Sequence, residues 1–396
     1  MRFLFLYVCL LSVIGFAAQE PPHQTAGKYD VMLRLPPDGL YAQEEMQIEF
    51  RVVDRSRVDP LLGAAPVVRA RIHATVDMPA MPSMPKYEEI AHTEGIPGEY
   101  GVHPTFSHGG EYRLQLAIQP PADEAFQVTF PLQVLDADDA RKRKPGPRPF
   151  QLELKSNPKN PKAGQPVELE LVVRAREKPR EIFSSFEVMH EKLMHLLILR
   201  SDLAHFAHEH PERQGDGSFQ LQYTFPAAGE YHIFADTAPA GAGEQVMMAK
   251  IRVGGESDRK FDITKASAGE RSRVKTCDGV TVELKAPETY LPAKKTEDIF
   301  FALKDAATGE AVADLEPYLG AMGHLMLVHQ DSVTFVHSHP DEREPRAGRD
   351  GTVPFLVRFP KAGIYRGWSQ FKRKGRIITA DFILEVRDAA EPGAAQ

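Results

Sequence analysis

Two stretches of this chain carry three histidines in the same register. His195, His208 and His210 precede Pro211, and His324, His337 and His339 precede Pro340, so that both stretches read H, twelve residues, H-x-H-P. Imidazole is the commonest metal-ligating side chain. Three of them suit Cu(II), Zn(II) or Ni(II), and a nearby thioether shifts the preference towards Cu(I) because soft donors select the soft ion.

The elements that must position these rings can be read from the same residues. In each stretch an apolar run, a polar break (Arg200-Ser201-Asp202 or His329-Gln330-Asp331) and a second apolar run predict a β-hairpin. A two-residue turn at Ser201-Asp202 or Gln330-Asp331 sets His195 across from His208 and His324 across from His337, with Cβ atoms roughly 5 Å apart. Strand parity places His210 and His339 on the same face. In that register Met322 lies across from His339 as a candidate fourth ligand, where the earlier stretch has Leu193. Parity turns Met194 and His205 to the opposite face, and with Met189 and His190 they are expected to line or pack. Met326 shares a face with His324 and is expected in the core. Paired histidines at a strand end also occur as packing residues, and His-Pro is a natural ladder terminator. Recurrence at identical spacing in otherwise diverged segments favours the metal.

A third segment has different donors. Asp77-Met-Pro-Ala-Met-Pro-Ser-Met-Pro85 spaces Met78, Met81 and Met84 by three. A polyproline II helix has three residues per turn and sets such methionines along one edge. That row is a candidate Cu(I) contact, with His73, His92, His103 or His108 as nitrogen donors; an apolar loop covering the end of a sandwich is the alternative.

A second repeat counts the domains. Phe106–Tyr112, Phe225–Tyr231 and Phe359–Tyr365 all fit F-x-x-x-G-x-Y, and a turn followed by a Tyr is a recurring corner device of immunoglobulin-type sandwiches. Short alternating strands and abundant Pro and Gly predict an all-β chain of three tandem immunoglobulin-like or cupredoxin-like β-sandwich domains, over residues 28–137, 150–254 and 260–387. Arg141-Lys-Arg-Lys-Pro-Gly-Pro-Arg-Pro149 reads as a stiff, solvated connector. Residues 388–396 form a tail expected to be disordered.

Residues 1–18 have a basic start, an apolar run and a small-residue end, as in a secretory signal peptide. The mature chain is expected to be periplasmic or secreted, with no membrane anchor after cleavage. Cys9 lies in that segment, so Cys277 alone remains and no intramolecular disulfide can form. A net charge of −7 and a pI near 6.1 give no reason to expect a nucleic-acid partner.

Residues 70–118, through the Met-Pro loop, His108-Gly-Gly and the Tyr112 corner, resemble the YtkA-like/FixH-like domains of exported bacterial proteins. The resemblance implies a small immunoglobulin-like or cupredoxin-like fold and an association with copper handling or oxidase maturation. The two later domains resemble it more loosely.

No nucleophile elbow, H-E-x-x-H helix or phosphate-cradling loop is present in the sequence, so the expectation is binding and not catalysis. The reading is an exported protein that binds a transition metal, copper first and zinc second, for chaperoning or resistance, with a protein partner in metal delivery. The rival is a tandem extracytoplasmic interaction or structural module with no metal.

Overall fold

The structure, a computed structural model, describes residues 21–36, 38–60, 63–141, 149–258, 260–286, 290–340, 348 and 350–388. The expected signal segment, most of the basic connector and the tail beyond Asp388 lie outside the described residues. Among the described residues the regular secondary structure is nearly all β-strand, and no helix is long and apolar enough to cross a membrane.

Alternating apolar residues build three sandwiches, each with its own core. A six-stranded and a five-stranded sheet enclose the first, around Phe50, Tyr100, Leu114 and Phe130. The second pairs four strands with five around Leu169, Phe219 and Ile233, and the third pairs four with six around Phe301, Phe355 and Phe382. The repeated corner is the same device each time. The hydroxyls of Tyr112, Tyr231 and Tyr365 donate to the carbonyls of His108, Ala227 and Lys361 at 3.0, 2.9 and 2.9 Å. The glycine before each tyrosine has a positive φ, and at Gly363 (φ 139°) a Cβ would also sit 2.1 Å from Nε2 of His329.

Two strands depart from the alternating pattern. Met194–Arg200 and His324–His329 are buried at every residue. Met194, Leu196 and Ile198 enter the core of the second domain, whereas Leu197 and Leu199 point the other way, into a fourth apolar cluster with Met326, Val328 and Trp368. Leu325 and Leu327 fill the core of the third domain from the opposite side of its strand. The second and third domains therefore pack sheet on sheet, which uninterrupted apolar strands require.

Contacts across this interface come in reciprocal pairs. Phe206 stacks on Trp368 with centroids 4.5 Å apart, and its counterpart Phe335 stacks on Phe234 at 5.2 Å. His232 Nδ1 donates to the Ser332 carbonyl at 2.5 Å, and Arg366 at the equivalent place donates to the Leu203 carbonyl at 2.7 Å. The two domains are thus related by a local pseudo-twofold. The first domain docks on both: Arg51 forms a buried pair with Glu187, and Glu45 accepts from the Thr296 amide at 2.7 Å.

Trp368 is 5 % exposed in the shared cluster. Trp368→Ala is expected to cost about 3–5 kcal/mol, as large aromatic truncations in cores do. Urea denaturation should show the loss, with an early transition as the second and third domains separate; a single transition at the wild-type midpoint would contradict the role given to this interface.

Candidate metal centre

Each histidine triplet lies at one end of the doubly buried interface. Strand parity holds: His195, Leu197 and Leu199 alternate on the outer face of the sheet, as do His324, Met326 and Val328. The hairpin register differs from the two-residue turn that the sequence suggests. Leu197, not His195, pairs with His208, and Met326, not His324, pairs with His337. Four residues form each loop, closed by Arg200 N to His205 O (3.0 Å) and His329 N to Thr334 O (2.9 Å). The cause is local. Asp331 accepts from the amides of Val333 and Thr334 at 2.9 Å each, Asp202 accepts from the Ala204 amide at 3.2 Å, and Leu203 and Ser332 take positive φ. A shift of two keeps every side chain on its face, so the rings still converge.

The geometry of each triplet fits an ion. His195, His208 and His210 each offer a nitrogen within 4.8 Å of the others, and so do His324, His337 and His339. His195 Nδ1 lies 3.2 Å from His208 Nε2 and 3.3 Å from His210 Nε2. Two nitrogens bound about 2.0–2.1 Å from one tetrahedral ion would be about 3.4 Å apart.

The far nitrogens show which atoms are free. His195 Nε2 faces the Met189 carbonyl at 3.0 Å, and His324 Nε2 faces the Tyr318 carbonyl at 2.9 Å. A carbonyl only accepts, so each Nε2 carries the proton and each Nδ1 presents a lone pair. The hairpin histidines use the opposite nitrogen. His208 Nδ1 donates to Gln370 Oε1 at 2.8 Å and His337 Nδ1 donates to Asp236 Oδ2 at 2.6 Å, which leaves both Nε2 atoms as lone pairs. His195 Nδ1 and His208 Nε2 therefore meet as two acceptors with no proton between them. His324 Nδ1, His337 Nε2 and His339 Nε2 are buried without a hydrogen-bond partner. Orphaned acceptors in a dry site are costly, and a cation is what satisfies them. Acceptors that hold the far nitrogen and fix the tautomer are the usual surroundings of ligating histidines.

The triplets are not separate. The His195 ring lies 5.8 Å from His337 and 6.1 Å from His324, and His208 lies 5.9 Å from His324 and 6.0 Å from His337. His190 adds a seventh ring, stacked 3.6 Å from His339. Gly95 of the first domain backs onto His190, where a Cβ would sit 2.3 Å from Nε2. A cavity of about 170 Å³ where the three domains meet reaches His337 and His339, with His92, Glu94, His103 and Glu244 along its wall. Glu89, His92 and His103 also group at ligand spacing, as do Asp236, Glu244 and His337.

The methionines lie elsewhere. Met322 packs on the third core, its methyl beside Gly348, and the observed register does not set it across from His339. Met78 and Met84 pack against the first core, and Met81 is 44 % exposed. The Met-Pro segment is not a polyproline II helix, which has no internal hydrogen bonds: Met81 N donates to Met78 O at 2.9 Å and Met84 N to Met81 O at 3.0 Å, giving two linked turns. This loop takes the place of the short hairpin turn of the later domains, because His73 occupies the position of His195 and pairs with Ile90. His190, Asp236 and Gln370 escape a reading from spacing alone. Asp236 left one trace, a lone acid in Ile233-Phe-Ala-Asp-Thr-Ala238, a run otherwise without charge.

Residues 150–265 and 275–388 each match the family described as Domain of unknown function (DUF8832), and residues 23–117 match the YtkA-like family. No curated protein matches the chain. Among solved structures, FetP from a uropathogenic Escherichia coli strain is 13 % identical at a TM-score of 0.23, covering 29 % of this chain and 94 % of its own. The Escherichia coli adhesin FdeC is 15 % identical at 0.20, covering 92 % and 98 %. A Salmonella alpha-2-macroglobulin is 10 % identical at 0.21, covering 92 % of this chain and 24 % of its own.

Burial, with repulsion among neighbouring rings, disfavours the charged form of six of the seven rings. It pushes His190 and His208 down to about 3 and His210 to about 4, and keeps His195, His324 and His339 well below the ordinary range. In the unfolded chain these groups titrate near 6.5, so below that pH the unfolded state binds more protons. Stability of the metal-free protein is therefore full above about pH 6.5 and falls as pH drops towards 4 and 3. The urea midpoint should fall steeply between pH 7 and 5 and more shallowly in a His208→Asn/His210→Asn variant; equal slopes would contradict neutral burial.

Proposed function

We propose that this chain, which belongs to the family described as Domain of unknown function (DUF8832) and opens with a YtkA-like domain, binds copper in its paired histidine triplets and works in extracytoplasmic copper chaperoning or resistance. The observation that carries the reading is the convergence of unprotonated imidazole nitrogens whose other nitrogens are tied to protein acceptors. That arrangement is prepared for a cation and strained without one.

Donor chemistry and charge favour copper. Imidazoles suit copper and zinc alike. His195 and His324 are buried and the hairpin histidines half-buried, however, and ligating neutral rings supply no negative charge, so two divalent ions would place four positive charges beside Asp236. Two Cu(I) ions halve that charge, and the cost of charge rises steeply in a low-dielectric site. Zinc is the second choice.

Several features support binding over catalysis. The ligands face one another inside an interface, and fixed carbonyl, amide and carboxylate acceptors hold them in one arrangement. A duplicated site is also simpler to explain as capacity than as chemistry. Export of the mature chain follows from the apolar N-terminal segment, and a delivery partner is expected to engage the cavity beside His337 and His339.

Calorimetric titration of the mature chain with copper, under reducing and oxidising conditions, tests the reading. About two ions per chain are expected, bound more tightly as Cu(I), with binding lost when His195, His208, His324 and His337 are all changed to Ala. Equal weak binding by both proteins would make the histidines architecture and leave an interaction module; tighter binding of Zn(II) than of Cu(I) would reassign the metal.

A further inference from the structure

The pseudo-twofold that relates the two triplets is nearly complete. Each strand histidine is held by the carbonyl of an equivalent turn, Met189 at 3.0 Å and Tyr318 at 2.9 Å. Each hairpin histidine reaches across the interface to the strand of the other domain at equivalent positions, since Asp236 pairs with His195 and Gln370 with His324. At that point the symmetry breaks: His208 donates to an amide and His337 to a carboxylate.

We propose that Asp236 makes the two halves unequal, so that the third-domain triplet is the tight copper site, filled first and emptied last, and the second-domain triplet is the weaker, releasing site. The proposal rests on the copper reading of the same cluster. An imidazole whose Nδ1–H is held by a carboxylate is more basic at Nε2 and passes negative charge towards the ion; an amide does neither to the same degree. The His337 side chain is 2 % exposed and that of Asp236 3 %, so solvent does not screen the effect. Asp236 Oδ1 has no hydrogen-bond partner of its own.

The surroundings act in the same direction. Glu94, whose carboxyl His92 helps hold below the usual range, lines the cavity that ends at His337 and His339. The second-domain triplet instead has Lys192 within electrostatic reach of His210. A cation entering through the cavity meets the carboxylate-backed half first.

The test is an anaerobic Cu(I) titration of the full mature chain against a chromophoric Cu(I) chelator. The wild type should bind two ions in steps separated by about 10–100-fold, the usual effect of an outer-shell partner. His339→Ala should abolish the tight step and His210→Ala the weak one. Asp236→Asn, which copies the neutral partner of the other half, should weaken the tight step until the two nearly coincide. Gln370→Glu should strengthen the weak step while leaving the tight one in place, a gain that a merely structural role would not give. Two equal steps in the wild type, an unchanged separation in Asp236→Asn, or loss of the tight step in His210→Ala would each overturn the proposal while leaving copper binding intact. No Cu(I) binding by the wild type would overturn both.

Discussion

The structure depends on two strands that are buried on both faces. Met194–Arg200 and His324–His329 each supply one side chain in two to a domain core and the next to a shared interface. That double burial fixes the second and third domains against each other, because Leu197, Leu199, Met326 and Val328 would otherwise face water. The histidines continue the outward-facing rows of the same two strands. They are consequently carried into a place where neutral rings are favoured and buried acceptors must find a donor or a cation.

The polar groups that orient the hairpin rings come from the other domain in both directions, Gln370 to His208 and Asp236 to His337. Neither triplet is therefore complete within its own sandwich, although all three of its ligands are. The first domain shows what the architecture becomes when this device is absent. His73 keeps the strand position, but Ile90 and Glu88 stand where the hairpin histidines would be, and a Met-Pro loop replaces the short turn. Its sandwich is intact while its outer face carries no triplet; instead it covers the cluster, with Gly95 against His190 and a cavity wall beside His337.

Much of this was legible in the sequence. The F-x-x-x-G-x-Y motif marks the three tyrosine corners because one turn geometry demands that glycine and that tyrosine together. The membership of each triplet follows from parity, and parity survives the error of two in the hairpin register, since Leu203 and Ser332 lengthen each loop by an even number of residues. What spacing cannot give is the neighbour across an interface. Periodicity says which face a residue occupies and not what covers that face, so the union of the two triplets, the stacking of His190 on His339 and the roles of Asp236 and Gln370 were out of reach. One sign was present: His-Leu-Leu-Ile-Leu and His-Leu-Met-Leu-Val are apolar at consecutive positions, and a strand with one solvated face would have alternated.

Because ligand orientation and domain docking share the same hydrogen bonds, ion binding and docking are linked thermodynamically. An ion that binds the docked arrangement better than the separated one stabilises docking by RT ln(1 + [L]/Kd) in the simple one-site limit, and docking raises ion affinity by the same factor. The apolar interface keeps the arrangement formed without an ion, at the cost of lone pairs that face one another. The tension has a use. A site held entirely by metal would unfold on release, and one with every acceptor already satisfied would have no reason to bind. Here Leu199, Met326 and Trp368 supply persistence, the orphaned nitrogens of His324, His337 and His339 supply affinity, and an ion can leave without dismantling the sandwiches that hold its ligands.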